Sequence, residues 1–235
     1  MTVTVTSSVA FAYTTGTNAE GLNDGFQADD RTGGDGPRPI VRIGRDLAAS
    51  RTWSSHSGGR PVAELVQGTG PVADLGCGHG HVTARLHALG LSVLGVDLSP
   101  RMVALARRAH PGLRFDQGSM TALNLPEAAL GGIVALHSII HIPQERLPEV
   151  FAEFSRVLAP GGHVLLSFQV GDERVRRTEA FGHAISLDHY LRSPDRVAEF
   201  LGGAGFVEVA RLVRERDEKN ERIQPAYLVA RKPAQ

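Results

Sequence analysis

The run Val72-Ala73-Asp74-Leu75-Gly76-Cys77-Gly78-His79-Gly80 decides the fold. Its first four residues read as a buried strand, its three alternating glycines as a sharp turn, and the amphipathic stretch from His81 onward as a helix. Glycine reaches backbone conformations closed to other residues, so the N–H groups of the loop and the helix N-terminus can come close to a ligand. A glycine pair alone is weak evidence. Here an acid, Asp74, precedes the glycines on the strand, and a second acid, Asp97, ends the next apolar run seventeen residues after Gly80. A carboxylate at that point of a doubly wound sheet can accept hydrogen bonds from both hydroxyls of a ribose. The combination specifies an adenosine-containing ligand.

Outward from this turn, short apolar runs alternate with amphipathic segments, the pattern of strand-helix units around a parallel sheet. Strands are expected at 72–75, 92–96, 113–115, 132–136 and 163–170, and helices at 60–67, 81–89, 100–109, 144–158 and 194–204. Ser99-Pro100 supplies an N-cap followed by proline at the first helical position, Ser193-Pro194-Asp195 does the same for the last helix, and Pro160-Gly161-Gly162 stops the helix before it. Two further apolar runs, 206–213 and 223–230, flank a polar turn at 215–221 and suit an antiparallel hairpin. The expected fold is α/β: a doubly wound, mostly parallel Rossmann-like sheet with a C-terminal antiparallel hairpin, formed by residues 59–235.

Residues 1–58 differ in composition. Stretches such as Thr14-Thr15-Gly16-Thr17-Asn18 and Asp29-Asp30-Arg31-Thr32-Gly33-Gly34-Asp35-Gly36-Pro37 favour loops and offer little apolar surface to offset ordering entropy. This part is expected to be poorly ordered or lid-like, with a short strand where Val3 and Val5 alternate with threonines and a short helix at 40–49. Over all 235 residues, 25 Lys+Arg balance 25 Asp+Glu. No run of five or six like charges occurs, so the chain lacks the electrostatic footprint of a protein that binds nucleic acid or an anionic membrane as its main task. One cysteine, Cys77, excludes an internal disulfide and a multi-cysteine zinc site, and no apolar run is long enough to span a bilayer. Residues 1–30 lack the basic and apolar regions of a secretion signal, so a cytoplasmic location is expected.

The glycine run and its surroundings resemble the class I S-adenosylmethionine-dependent methyltransferases. Gly95-Val96-Asp97-Leu98-Ser99-Pro100-Arg101-Met102 is similar to that family's second motif, and Arg156-Val157-Leu158-Ala159-Pro160-Gly161-Gly162 to its approach to the fifth strand. The resemblance covers 61–232. It implies S-adenosyl-L-methionine as cofactor, with Asp74, Gly76, Cys77, Gly78 and Gly80 near its methionine part and Asp97 on the ribose. It also implies Leu98 and Met102 beside the adenine, Gly118, Ser119 and Met120 at the adenine edge, and Leu136 with His137 near the sulfonium. Two departures stand out. Ser119 occupies a position where many members carry Asp, and neither Tyr13 nor Trp53 sits in the Tyr-Asp-bearing helix that closes over the cofactor in relatives. The implied activity is methyl transfer to a small-molecule acceptor. Arginine outnumbers lysine 23 to 2, as in GC-rich bacterial genomes, which associates the chain with specialised metabolism.

Other readings of the same residues remain. A dinucleotide-binding dehydrogenase shares the sheet and the second acid, but its GxGxxG fingerprint needs glycine where His81 stands. A cofactor-binding protein of the same fold without methyl transfer, a cyclase or a regulator, is the alternative function. His137 and His141, four residues apart past the fourth strand, could share a face and hold a metal, but no third ligand is evident and no metal is expected. Imidazole titrates near neutrality, so His141 is the candidate general base and His137 the second choice or a cofactor contact, against a purely orienting role. The 171–190 insertion, with Arg174, Arg176, Arg177, His183, His189 and Tyr190, reads either as acceptor contacts or as a solvated charged loop.

Overall fold

The computed structural model describes residues 3–5, 69–180, 183–214 and 223–234, with side chains described outside 3–5 and 177–186. The elements in chain order are β1 (Val3–Val5), β2 (Val72–Leu75), α1 (His81–Ala88), β3 (Val93–Asp97), α2 (Pro100–Ala109), β4 (Arg114–Gln117), β5 (Leu130–Leu136), α3 (Leu147–Val157), β6 (Leu158–Gln169), β7 (Arg174–Ala180), β8 (His183–Tyr190), α4 (Pro194–Gly203), β9 (Val207–Arg214) and β10 (Pro225–Arg231). Short 3-10 turns at Ile139–His141 and Gln144–Arg146 join β5 to α3.

One sheet has the strand order β1-β9-β10-β6-β5-β2-β3-β4. Strands β2 to β6 run parallel, and β10 lies antiparallel between β6 and β9. The mostly parallel sheet and its terminal antiparallel hairpin are therefore present as expected. β2 and β5 are almost wholly buried because helices cover both faces, which is why their sequences are continuous apolar runs rather than alternating ones.

On one face, α3 presents Leu147, Val150, Phe151, Phe154 and Val157, which recur three or four residues apart along one inward stripe (147 to 150 and 151, 150 to 154, 154 to 157). Val197 and Leu201 of α4 join it over Ala73, Leu75, Val96 and Ile133. On the other face, Val82 and Leu86 of α1 pack on Val72 and Val134, while Val103 and Ala106 of α2 pack on Phe115. α2 starts where the sequence signals it: the Ser99 hydroxyl accepts from the Met102 N–H at 3.4 Å, and Pro100 opens the helix.

Several boundaries differ from the sequence reading. The insertion at 171–190 is ordered as an antiparallel two-stranded sheet of its own, β7 with β8, pairing Arg174 with Tyr190 and Arg176 with Asp188. Neither strand alternates cleanly, β7 reading RVRRTEA and β8 HAISLDHY, so the sequence carries no strand period to recognise there. β6 begins at Leu158 rather than 163, and a register shift between Leu130 and Gly132 absorbs the Pro160-Gly161-Gly162 stretch. The expected 3-residue strand at Val3–Val5 lies parallel to β9 at the sheet edge. The helices expected at 40–49 and 60–67, and Tyr13 and Trp53, lie outside the described residues.

Candidate functional site

Strand order reverses between β2 and β5: β2 continues to β3 and β4 on one side, β5 to β6 on the other. Connections leave in opposite directions there, opening a crevice at the carboxyl ends of the strands. The glycine loop lies on it. Gly76 has φ +75°, and a Cβ built on it would sit 2.3 Å from Cβ of Ser138, past the end of β5. Gly80, with φ +88°, caps α1 in the left-handed region, and a Cβ there would strike the Phe115 ring at 2.7 Å. Both positions exclude any other residue.

Asp97 ends β3 with its carboxylate held by two backbone donors: Gly78 N–H to Oδ2 and Ser99 N–H to Oδ1, each 2.8 Å. These bonds fix its orientation while each oxygen keeps a lone pair for a further donor. Asp74 has a different task. It is buried at 2% exposure, and its Oδ2 accepts from the Thr83 hydroxyl of α1 at 2.6 Å, tying the strand before the loop to the helix after it. Burial pushes its carboxyl up to about 7 against the pull of Thr83. Cys77 is buried, and burial together with Asp74 and Asp97 pushes its thiol well above the ordinary range, so it is a small packing residue and no nucleophile.

Leu98, just before α2, is 70% exposed and Met102, in its first turn, 40%, apolar surface facing solvent shortly after Asp97. Past β4, Ser119 does not present a free hydroxyl: it meets Thr121 Oγ1 at 2.8 Å and accepts from the Thr121 N–H. Met120 reaches the other way, its methyl carbon 3.0 Å from the position of a Gly76 Cβ. Arg156 of α3 holds the following segment by donating to Leu123 O and Leu125 O at 3.0 and 2.9 Å. A cavity of about 280 Å³ adjoins Gly118 at the sheet edge, between Val96, Asp116 and Leu123.

At the end of β5, Leu136 is followed by His137 in the left-handed region, φ +49°, an uncommon conformation for a side-chain-bearing residue. The His137 N–H donates to Ser167 O and Oγ of β6 at 3.0 and 3.1 Å, which holds it there. Burial, with His141 nearby, lowers the His137 imidazole to about 4, so it is neutral at physiological pH. His141 is exposed on the 3-10 turn, with Nδ1 3.2 Å from the Asp188 carbonyl of β8. A carbonyl only accepts, so Nδ1 carries the proton and Nε2 offers a lone pair. His189 packs edge-on to His141 at 5.8 Å.

Beneath this turn lies Arg192, buried at 2%, donating from Nη2 to Ile139 O and Ile142 O. Its guanidinium lies 5.2 Å from the Tyr190 ring centre, and that of Arg174 5.9 Å. Arg174 also pairs with Asp188 at 2.6 Å. Thr83, Ser138, Ser167 and Arg192 are the site residues that sequence reasoning missed. Ser138 lies between the two candidate histidines in sequence, the one signal that could have found it; nothing in sequence linked Thr83 or Arg192 to this place. Among the described residues, no three His, Cys, Asp or Glu side chains converge as a metal site, and no helix is long and apolar enough to cross a membrane.

Residues 72–162 match a family model described as a methyltransferase domain. A trans-aconitate 2-methyltransferase of Escherichia coli O157:H7 is 33% identical over 151 residues, covering 61% of this chain and 57% of the relative. The chain thus spans little more than half the length of the curated relatives it matches. A structure of an S-adenosylmethionine-dependent methyltransferase from Methanosarcina mazei superposes with TM-score 0.65 at 18% identity, covering 74% of this chain and 97% of that one. The cyclase SpnF superposes with TM-score 0.57 at 20% identity, covering 76% and 83%. At those identities the likeness is one of fold.

Proposed function

From the premise that this chain carries a class I S-adenosylmethionine-dependent methyltransferase domain, we propose that it binds S-adenosylmethionine across the β2–β5 crevice and methylates a small-molecule acceptor. The observation that carries this reading is Asp97, whose carboxylate is aimed by Gly78 N–H and Ser99 N–H at the loop where a ribose would lie. The residues fit the cofactor: Gly78, at φ +56° and with nothing within 4 Å of a Cβ built on it, borders open space between the tightly packed Gly76 and Gly80, and Leu98 with Met102 offers exposed apolar surface for a base. Gly76 to Gly80 would hold the amino-acid part, Asp97 the ribose, and Leu98 with Met102 the adenine, while Met120, expected at the adenine edge, packs toward Gly76 and would lie nearer the amino-acid part. Bound there, the cofactor supplies an already activated methyl group.

The rest falls to the protein. His141 Nε2, at the mouth beyond β5, takes the acceptor's proton, while the Asp188 carbonyl holds the ring in the tautomer that can do so. His137, neutral and partly buried, lines the sulfonium side and stands as the second base. Tyr190 and the start of the β7–β8 hairpin border the acceptor space, above the buried Arg192. The half-exposed Arg174 there suits an anionic or polar acceptor, in keeping with a relative named for trans-aconitate. The arginine-rich composition accords with a bacterial biosynthetic role. Since SpnF shares the fold, the fold leaves a non-methylating reading open; the base-competent nitrogen at the mouth favours transfer.

The test is the pH–rate profile of wild type and His141→Ala with an accepted substrate. For a hydroxyl acceptor the variant should lose about a hundredfold or more in kcat with cofactor affinity retained. Near-normal kcat from about pH 6 to 9, a span bracketing the ordinary imidazole value, would remove His141 as base and leave alignment as the mechanism.

A further inference from the structure

His141 sits where a side chain is hard to hold still. It is exposed, on a 3-10 turn of only three residues, and an imidazole there has a broad choice of ring orientations about its last torsion. One contact fixes one point of the ring: Nδ1 lies 3.2 Å from the Asp188 carbonyl of β8. A ring held at a single atom still swings about that bond, and each swing moves Nε2 on the far side. A base needs that nitrogen within hydrogen-bond reach of one place, where the acceptor's proton lies. A second point of contact, away from Nδ1, is required.

The next residue of the same strand supplies it. Strand alternation sends the side chains of Asp188 and His189 to opposite faces of the hairpin. The Asp188 carboxylate pairs with Arg174 of β7 at 2.6 Å, while its carbonyl meets His141. His189 turns the other way and meets the His141 ring edge-on, with centroids 5.8 Å apart and planes at 71°. Rings at that distance and angle pack favourably, so turning either one gives up the contact. The His189 ring is itself held: it is 6% exposed, on a strand that pairs with β7 at Val175. A buried ring thus braces an exposed one. We propose that His189 is a positioning residue that fixes the plane of the His141 ring, keeping Nδ1 on the Asp188 carbonyl and Nε2 turned to the acceptor. The proposal rests on the reading of His141 as base.

Imidazole nitrogen NMR of the full chain tests it with no acceptor present, at about pH 8.5, well above the ordinary imidazole value. The His141 signals are identified by their loss in His141→Ala. Wild type should show His141 almost wholly as the Nδ1–H tautomer, with through-space contacts between its ring protons and those of His189. His189→Leu fills the site without a ring edge and should lose that preference, giving both tautomers in comparable amounts. His189→Phe returns an aromatic edge and should restore the single tautomer. A Leu variant that keeps the single tautomer, a Phe variant that does not recover it, or wild type lacking contacts between the two rings would each overturn the role of His189. The wild-type contact decides the matter should the Leu variant fail to fold. Wild type without the Nδ1–H form at His141 would instead overturn the reading of His141 as base.

Discussion

Two aspartates on neighbouring strands illustrate how environment separates roles. Asp97 accepts from two backbone N–H groups at the crevice, whereas Asp74 is sealed beneath the loop with Thr83 as its side-chain donor. Replacing Asp97 by Ala should weaken S-adenosylhomocysteine binding by about 1–3 kcal/mol, the cost of removing a charged hydrogen-bond partner; a folded variant of unchanged affinity would take Asp97 out of the ribose site. Asp74 should affect stability instead. Its folded value, about 7, is above the unfolded one, so its contribution is full below about pH 4 and is lost as pH rises through 7. Asp74→Asn keeps an acceptor for Thr83 and removes the ionisation. It should therefore raise unfolding free energy by on the order of a few kcal/mol at pH 8 and by less at pH 5. Urea melts at the two pH values read this directly, and a gain that is larger at pH 5 would contradict the assignment. The motif made both acids visible in sequence, but only burial tells them apart.

At the level of elements, the mouth is built by joining two pieces distant in sequence, the 139–142 turn and the β7–β8 hairpin with the residues that follow it. Arg192 makes the joint from below and His141 from the side. Arg192→Met keeps the stem but leaves the Ile139 and Ile142 carbonyls without this donor. It should cost about 2–4 kcal/mol in urea unfolding and lower kcat more than cofactor affinity; unchanged stability would show the joint to be incidental. This joint was illegible in sequence because it depends on contacts some fifty residues apart and on a hairpin whose strands lack a clean apolar–polar alternation. Helix α3 and strands β2 and β5 were legible for the opposite reason: a helical stripe and unbroken apolar runs are local consequences of burial. The left-handed turn at His137 left no sequence mark, since glycine, its usual sign, is absent.

Across the whole molecule, function follows from where the sheet reverses. Parallel strands covered on both faces leave only their ends open, and the reversal between β2 and β5 opens a crevice at the carboxyl ends that gathers the glycine loop, Asp97 and the histidine turn. Balanced charge, 25 cationic against 25 acidic side chains, leaves recognition to this local geometry rather than to a long-range field. The same sheet could carry a dinucleotide, and His81 in place of a third fingerprint glycine is what separates the two on sequence. The measurement that tests the account most directly is calorimetric titration of the purified chain with S-adenosylmethionine, S-adenosylhomocysteine, NAD and NADP at matched concentrations. Saturable binding of both sulfur compounds with no heat from either nicotinamide dinucleotide is the predicted result; binding of a dinucleotide with no response to the sulfur compounds would contradict it.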